Sequence, residues 1–181
     1  DATIVRFHSS VAEVGVGVFK ECDQLKKVVL NEGLQKIGKY SFSACHELER
    51  IKFSSLENIN LPSTLLEISE RAFYNCSSLK EDVVLNEGLQ TIGNYAFFRC
   101  RSLKSINLPS TTTEIVGNAF MCCNNLEEVA LNEGLNKIGT KSCHSCKSLQ
   151  SITLPSTVTM IGKFAFEVCT KLRNVVLHEG L

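Results

Sequence analysis

The chain has 181 residues, of which 44% are hydrophobic, and its 19 basic residues balance 19 acidic residues to a formal net charge of zero. This balance argues against a nucleic-acid-binding protein, which needs a basic surface to neutralise phosphates, and against a protein held on a membrane by charge. No apolar run approaches the ~20 residues that cross a bilayer, so we expect no direct membrane insertion in this segment.

A repeated pattern of phenylalanine, cysteine and leucine runs along the whole chain. Seven cysteines recur at intervals of 23, 31, 24, 23, 23 and 23 residues; each is followed three residues later by leucine, and six are preceded three residues earlier by phenylalanine. We call these the column cysteines: Cys22, Cys45, Cys76, Cys100, Cys123, Cys146 and Cys169. A unit of this size cannot bury its own apolar side, so the pattern predicts a solenoid whose units stack on a shared core.

Each repeat also contains a V-x-L segment with the alternation of a short strand that has one face inward. Eight such segments occur, at 5–7, 28–30, 51–53, 83–85, 106–108, 129–131, 152–154 and 175–177. Stacked in register, they predict one parallel sheet with strands ~4.8 Å apart. The A-F-x-x-C segment is too short for a long helix, so we predict a single α or 3₁₀ turn there.

The residues predicted to face outward from this sheet form a mixed surface without aromatic side chains. They are Arg6, Val29, Lys52, Val84, Asn107, Ala130, Thr153 and Val176. The exposed sheet of a solenoid is its usual binding surface, and the valines suit a protein partner better than a sugar. Opposite charges lie in adjacent repeats one residue before a second apolar column, which contains isoleucine in most repeats. We therefore predict ion pairs between Lys36 and Glu67 and between Glu114 and Lys137.

The turns after the strands alternate between N-E-G-L and P-S-T segments, which end a strand through glycine or proline. The glutamates of the first type form a row along one edge: Glu32, Glu87, Glu133 and Glu179. Because they occur in alternate repeats, they are ~10 Å apart, too far to share a metal ion or to act as an acid–base pair. We interpret the row as a solvated acidic edge, with a docking strip for a partner as the alternative.

Two places interrupt the register of the repeats. Residues 48–53 are followed by a similar segment at 56–61, and only one copy can occupy the sheet position. Asp82 is one extra residue before the strand segment at 83–85, which a local bulge would absorb.

The repeat unit resembles the BspA-like, Treponema-type leucine-rich-repeat family over essentially the whole chain. Residues 103–126 carry the resemblance best, through Leu103, Ile106, Leu108, Pro109, Ile115, Ala119, Phe120, Cys123 and Leu126. The chain departs from the family pattern at the duplication and at Cys143, where phenylalanine is expected. The resemblance implies an α/β solenoid, a right-handed superhelix of about seven to eight repeats with one parallel sheet face and short helical or extended connections. It also implies a non-catalytic protein without cofactors, found in many members at a cell surface or in adhesion.

The nine cysteines invite a disulfide, metal or redox interpretation. Side chains in register point the same way, which suits a disulfide poorly, and cysteine often behaves as a small buried hydrophobe. We therefore predict that the column cysteines are reduced core residues. Cys143 and Cys146 have a metal-ligand or redox-pair spacing, but both already hold core positions and a structural zinc site needs four ligands. Asn75 begins a glycosylation sequon whose middle residue, Cys76, is a core position.

We expect one solenoid domain over residues 1–181, a fragment of a longer chain because neither end carries a polar cap. The leading hypothesis is a non-catalytic protein–protein interaction module, placed at a cell surface by the resemblance and binding partners of unknown identity. The alternative is a structural accessory subunit of a large multiprotein assembly inside the cell or an organelle. We find no catalytic, cofactor-binding or metal-ligand pattern.

Overall fold

The computed structural model describes residues 3–53, 64–80 and 83–177, and within these ranges the chain is a β-solenoid of about seven turns. It contains fifteen short strands, and no helix occurs among the described residues. Each turn of the solenoid passes a first strand, a turn, a second strand and a series of tight turns before the next repeat begins. Across the described ranges, no helix is long and apolar enough to cross a membrane.

The V-x-L segments form the first set of strands, as the sequence predicts. These strands are β1 (Ile4–Arg6), β3 (Lys27–Leu30), β5 (Arg50–Phe53), β7 (Val83–Val84), β9 (Ser105–Asn107), β11 (Glu128–Ala130), β13 (Ser151–Thr153) and β15 (Asn174–Val176). Their pairing is parallel and in register, but it is divided into three sheets: β1-β3-β5, β7-β9-β11 and β13-β15. The predicted parallel, in-register stacking of these strands is confirmed, with breaks in the ladder between β5 and β7 and between β11 and β13 among the described residues.

A second parallel sheet runs without interruption through seven turns. Its two-residue strands are β2 (Glu13–Val14), β4 (Lys36–Ile37), β6 (Glu67–Ile68), β8 (Thr91–Ile92), β10 (Glu114–Ile115), β12 (Lys137–Ile138) and β14 (Met160–Ile161). The second residue of each strand points into the core, and from Val14 to Ile138 these side chains are at most 2% exposed. The sequence shows this column as apolar, but a strand of two residues has no alternation that identifies a sheet.

The A-F-x-x-C segments form a third hydrogen-bonded side instead of the predicted helical turn. In the second repeat, the N–H groups of Tyr40, Phe42 and Ala44 donate to carbonyls of the third repeat, while the intervening N–H groups donate three residues back within the turn. Two residues in each repeat, five and one before the column cysteine, have φ between 55° and 65°. Because these left-handed residues reverse the local curvature, the i to i+3 bonds cannot continue into a helix.

The core is a set of columns in which the same residue type stacks from repeat to repeat. The rings of Phe19, Phe42, Phe73 and Phe97 are stacked with centroids 5.3 Å apart at each step, and Phe120 follows at 5.6 Å. The leucines three residues after the column cysteines are at most 2% exposed from Leu25 to Leu149. The smaller Cys143 interrupts the phenylalanine column before Phe166, and we still predict that the core is looser there.

The first copy of the duplicated segment forms a strand of the sheet. Strand β5, in residues 48–53, pairs with β3 from Lys27↔Arg50 to Leu30↔Phe53. The second copy at 56–61 and the predicted bulge at Asp82 lie outside the described residues.

Candidate functional site

The sheet face, defined as the outward residues of the V-x-L strands, is only partly as predicted. Arg6, Asn107, Thr153 and Val176 are exposed, and Ala130 is half-buried. Val29 is only 9% exposed, so the expectation that it is an open surface residue is wrong. Its register neighbour in β1 is Arg6, and a short β-branched side chain is easily covered by longer side chains ~4.8 Å away. Lys52 and Val84 lie in strands β5 and β7, and their side chains are outside the described part of the structure.

A groove opens on this face between β11 and β13. Among the described residues these two strands share no ladder pairing, although they are consecutive strands of the stack. The groove has a volume of about 240 Å³. Its lining includes Glu128, Ala130, Glu133, Ser151, Thr153 and Pro155. We call it the seam groove, and it brings together two residues of the predicted sheet face with one glutamate of the acidic edge.

The residues that line the seam groove are suited to binding a ligand. Its lining has carboxylates and hydroxyls at Glu128, Glu133, Ser151 and Thr153, beside apolar residues that include Val129, Leu131 and Ile152. A groove lined in this way suits a segment of another protein, which presents both polar and apolar groups. Within the described ranges, no cluster of three or more His, Cys, Asp or Glu side chains could hold a metal ion.

The acidic edge is exposed, but its carboxylates also connect repeats. Both Oγ and the N–H of Ser110 donate to the Glu87 carboxylate, at 2.7 and 3.1 Å from Oε2. Oγ of Ser156 donates to Glu133 at 2.8 Å in the same way. Each bond joins an N-E-G-L turn to the P-S-T turn of the next repeat. Glu32 is exposed, and Glu179 lies outside the described residues. A docking role for this edge therefore stays a prediction.

The predicted ion pairs on the second sheet are confirmed. Lys36 Nζ lies 3.1 Å from the Glu67 carboxylate, and Lys137 Nζ lies 2.7 Å from that of Glu114. A hydrogen bond from Ser69 and the charge of Lys36 lower the pKa of Glu67. Each pair joins two residues that lie opposite each other on adjacent strands, and so favours the observed register of the repeats.

Six of the seven column cysteines share one contact that suits a thiol. From Cys45 to Cys169, each Sγ donates to the main-chain carbonyl of the residue at the phenylalanine position of the preceding repeat, at 2.9–3.2 Å. Burial raises the pKa of Cys45 to about 12 and that of Cys169 to about 11. Burial likewise raises the pKa of Cys76, Cys100 and Cys123 well above the usual range.

The C-x-x-C pair does not form an open ligand site. Cys143 and Cys146 are 1% and 0% exposed, and the Cys146 thiol is engaged with the carbonyl of Phe120 at 3.2 Å. His144, between them, lies 3.0 Å from the Glu167 carboxylate of the next repeat. This places the histidine in a contact between repeats rather than beside the two sulfur atoms.

Sequence reasoning missed a group of side chains on the third side of the solenoid. We call it the Tyr–Arg cluster, and its members are Tyr40, Arg71, Tyr74, Tyr95, Phe98 and Arg99. The Arg71 guanidinium lies 5.4 Å from the ring centre of Tyr40 and 5.1 Å from that of Tyr95. The rings of Tyr74 and Phe98 are stacked at 4.8 Å, and Tyr95 meets Phe98 edge-on at 5.4 Å. The spacing was visible in the sequence, since Tyr40, Arg71 and Tyr95 each stand five residues before a column cysteine.

Comparison with known proteins identifies relatives of the repeat. The family model described as BspA type leucine rich repeat region matches residues 1–55 and 52–173, in six copies. A leucine-rich repeat protein from Bacteroides ovatus is 27% identical, with a TM-score of 0.86 over 98% of this chain and 46% of its own. The Treponema pallidum leucine rich repeat protein is also 27% identical, with a TM-score of 0.57 over 82% of this chain and 78% of its own.

A leucine rich cell surface protein from Faecalibacterium prausnitzii has the same fold, with 22% identity and a TM-score of 0.77 over 96% of this chain and 47% of its own. The present chain thus spans about half the length of the Bacteroides and Faecalibacterium proteins. No curated protein sequence matches the chain significantly.

Proposed function

The chain belongs to the BspA-type leucine-rich repeat family, and from this premise we propose that it is a non-catalytic protein–protein interaction module that binds its partner through the sheet face. The seam groove is the observation that carries the proposal. It combines an exposed parallel-sheet face with polar and apolar lining residues in one place. These are features by which a segment of another protein is bound.

We place the module at a cell surface, as the family resemblance implies. The Faecalibacterium protein that shares the fold is a cell surface protein. Labelling of intact source cells with a membrane-impermeant biotin reagent tests this location. Recovery of the biotinylated protein is the expected result, and its labelling only after lysis would contradict it.

A second candidate is a structural subunit inside a large assembly. The thiols of the column cysteines favour it, because six of them donate to main-chain carbonyls and are suited to a reducing compartment. Co-purification at fixed stoichiometry with a large complex would support this candidate over the surface module.

The test of the interaction proposal compares capture of proteins by the wild-type chain and by Thr153→Arg. Thr153 is exposed beside the groove, so arginine there blocks the groove without disturbing the core. Thr91→Arg is the matched control, since Thr91 is exposed on the second sheet. We expect at least one protein that the wild-type chain and the control retain and Thr153→Arg loses, as quantified by mass spectrometry. Equal retention by all three would overturn the proposal.

A further inference from the structure

The tyrosine side chains of this protein, all half-buried, are concentrated in one place. The chain contains three tyrosines, and all of them belong to the Tyr–Arg cluster. Phe98, which is itself only 8% exposed and lies outside the stacked phenylalanine column, packs against Tyr74 and Tyr95. Tyrosine and arginine are the residues that most often dominate the binding energy of protein interfaces. The cluster lies on the side formed by the A-F-x-x-C turns, which is a different side from the sheet face.

The side chains of the Tyr–Arg cluster are held in place by contacts with one another. Arg71 is held between the rings of Tyr40 and Tyr95, donates a hydrogen bond to the Tyr40 hydroxyl, and lies 3.3 Å from the Glu70 carboxylate. The hydrogen bond to Tyr40 raises the pKa of Arg71 above its usual value. A surface whose side chains are already fixed loses less conformational entropy on binding, which favours affinity.

The charge of this surface is positive although the chain as a whole is neutral. The three turn segments 39–45, 70–76 and 94–101 contain four cations, Lys39, Arg71, Arg99 and Arg101, against the single carboxylate of Glu70. That carboxylate is already shared, since Lys39 Nζ lies 3.5 Å from it. Arg99 and Arg101 are both exposed, and the Arg99 guanidinium lies 5.0 Å above the Phe98 ring.

We propose that the Tyr–Arg cluster is a docking surface for an acidic segment of a partner protein. Carboxylates of that segment bind Arg99 and Arg101, and one of its apolar side chains packs against Tyr74 and Tyr95. Four cations are few for a nucleic acid, whose affinity depends on neutralising many phosphates. The inference rests on the proposed role in protein binding, but it uses a different face and therefore different residues.

The test is a selection of random short peptides displayed on phage against the immobilised 181-residue chain. We expect the enriched peptides to be acidic with an aromatic or aliphatic residue, and their binding to weaken with added salt. Arg99→Gln and Arg101→Gln each weaken binding of these peptides about tenfold, as measured by fluorescence anisotropy. Both side chains are exposed, so circular dichroism is expected to show an unchanged fold.

Arg173→Gln serves as the control, because Arg173 is an exposed arginine in the last described repeat. Neutral or basic enriched peptides, or peptides that bind Arg99→Gln as tightly as wild type, would overturn the inference. A competition experiment gives a second outcome that would overturn the inference. In that outcome, a single-stranded oligonucleotide displaces a bound acidic peptide at a lower concentration than an unlabelled acidic peptide does. Thr153→Arg is expected to leave peptide binding unchanged, so failure of the sheet-face proposal is distinguishable from failure of this one.

Discussion

The thiol of Cys123 donates a hydrogen bond to the main-chain carbonyl of Phe97, 3.1 Å away in the preceding repeat. The same carbonyl also accepts the N–H of Cys100 at 3.1 Å. The sulfur atom thus fills a fully buried position and at the same time places its proton on an acceptor of the neighbouring repeat. The column cysteines therefore fill the core and also form hydrogen bonds between neighbouring repeats.

Replacement of Cys123 by alanine tests how much this contact contributes to the stability of the fold. We expect Cys123→Ala to lower the free energy of unfolding by about 1–2 kcal/mol, because it removes a buried sulfur atom and its hydrogen bond. Urea denaturation followed by circular dichroism measures the change. Cys122→Ala is the matched control, since the neighbouring Cys122 is half-buried and outside the column, and it is expected to cost much less. Equal losses for the two variants would contradict this explanation of the column.

The redox state of the column is tested by thiol labelling. Because burial raises the pKa of Cys76, Cys100 and Cys123, these thiols are protonated and inaccessible at neutral pH. A maleimide is expected to label Cys22 and Cys122 of the native protein first, since both are partly accessible. Cys169 is also partly accessible, but burial raises its pKa to about 11, so it is expected to react more slowly. After denaturation without reductant, mass spectrometry is expected to show nine labelled cysteines. A smaller number would mean that disulfides are present and that the prediction of reduced cysteines is wrong.

Ser142 is a polar residue in a column that otherwise contains alanine from Ala72 to Ala165. It is 0% exposed, and its Oγ has no hydrogen-bonding partner among the described residues. Ser142→Ala removes this unsatisfied hydroxyl, so we expect the protein to become more stable by about 1 kcal/mol. Ser69→Ala is the control with the opposite expectation, because Ser69 Oγ donates to the Glu67 carboxylate at 2.5 Å. A loss of thermal stability in Ser142→Ala would contradict the prediction.

The left-handed backbone of the turns is tested at Ala44, whose φ is 58°. Glycine adopts this conformation without the clash of a Cβ atom, so Ala44→Gly is expected to stabilise the protein by roughly 0.5–1 kcal/mol in urea denaturation. Ala96→Gly provides the comparison, since Ala96 is 0% exposed and outside the left-handed positions. There we expect the usual loss of about 1 kcal/mol for glycine. If Ala44→Gly were the more damaging of the two, the turn geometry would be wrong.

The 23-residue period was sufficient to predict the solenoid, its eight V-x-L strands and the buried columns. It was also sufficient to pair Lys36 with Glu67, because residues one repeat apart become neighbours once the units stack. The second sheet could not be predicted in the same way, since a strand such as Glu13–Val14 is too short to have a periodic pattern. Local preference also failed at Val168, a β-branched residue with φ of 61°, where the stacking of repeats overrides its usual conformation.

The surface was less predictable than the core. The seam groove depends on a missing ladder between β11 and β13, yet Glu128–Ala130 and Ser151–Thr153 have the same alternation as strands that do pair. Burial of Val29 likewise depends on the size of its neighbours rather than on its own position. The Tyr–Arg cluster was accessible from the sequence, but only once the column cysteines were used to align Tyr40, Arg71 and Tyr95.

The most direct test of the account is site-specific photo-crosslinking in the source cells. A benzophenone amino acid is placed at position 153, beside the seam groove, and in a second variant at position 91 on the second sheet. Both native residues are exposed, so neither replacement disturbs the core. We expect a protein to be crosslinked from position 153 and not from position 91. The same crosslinked proteins from both positions, or crosslinks from position 91 alone, would contradict the claim that the sheet face binds the partner.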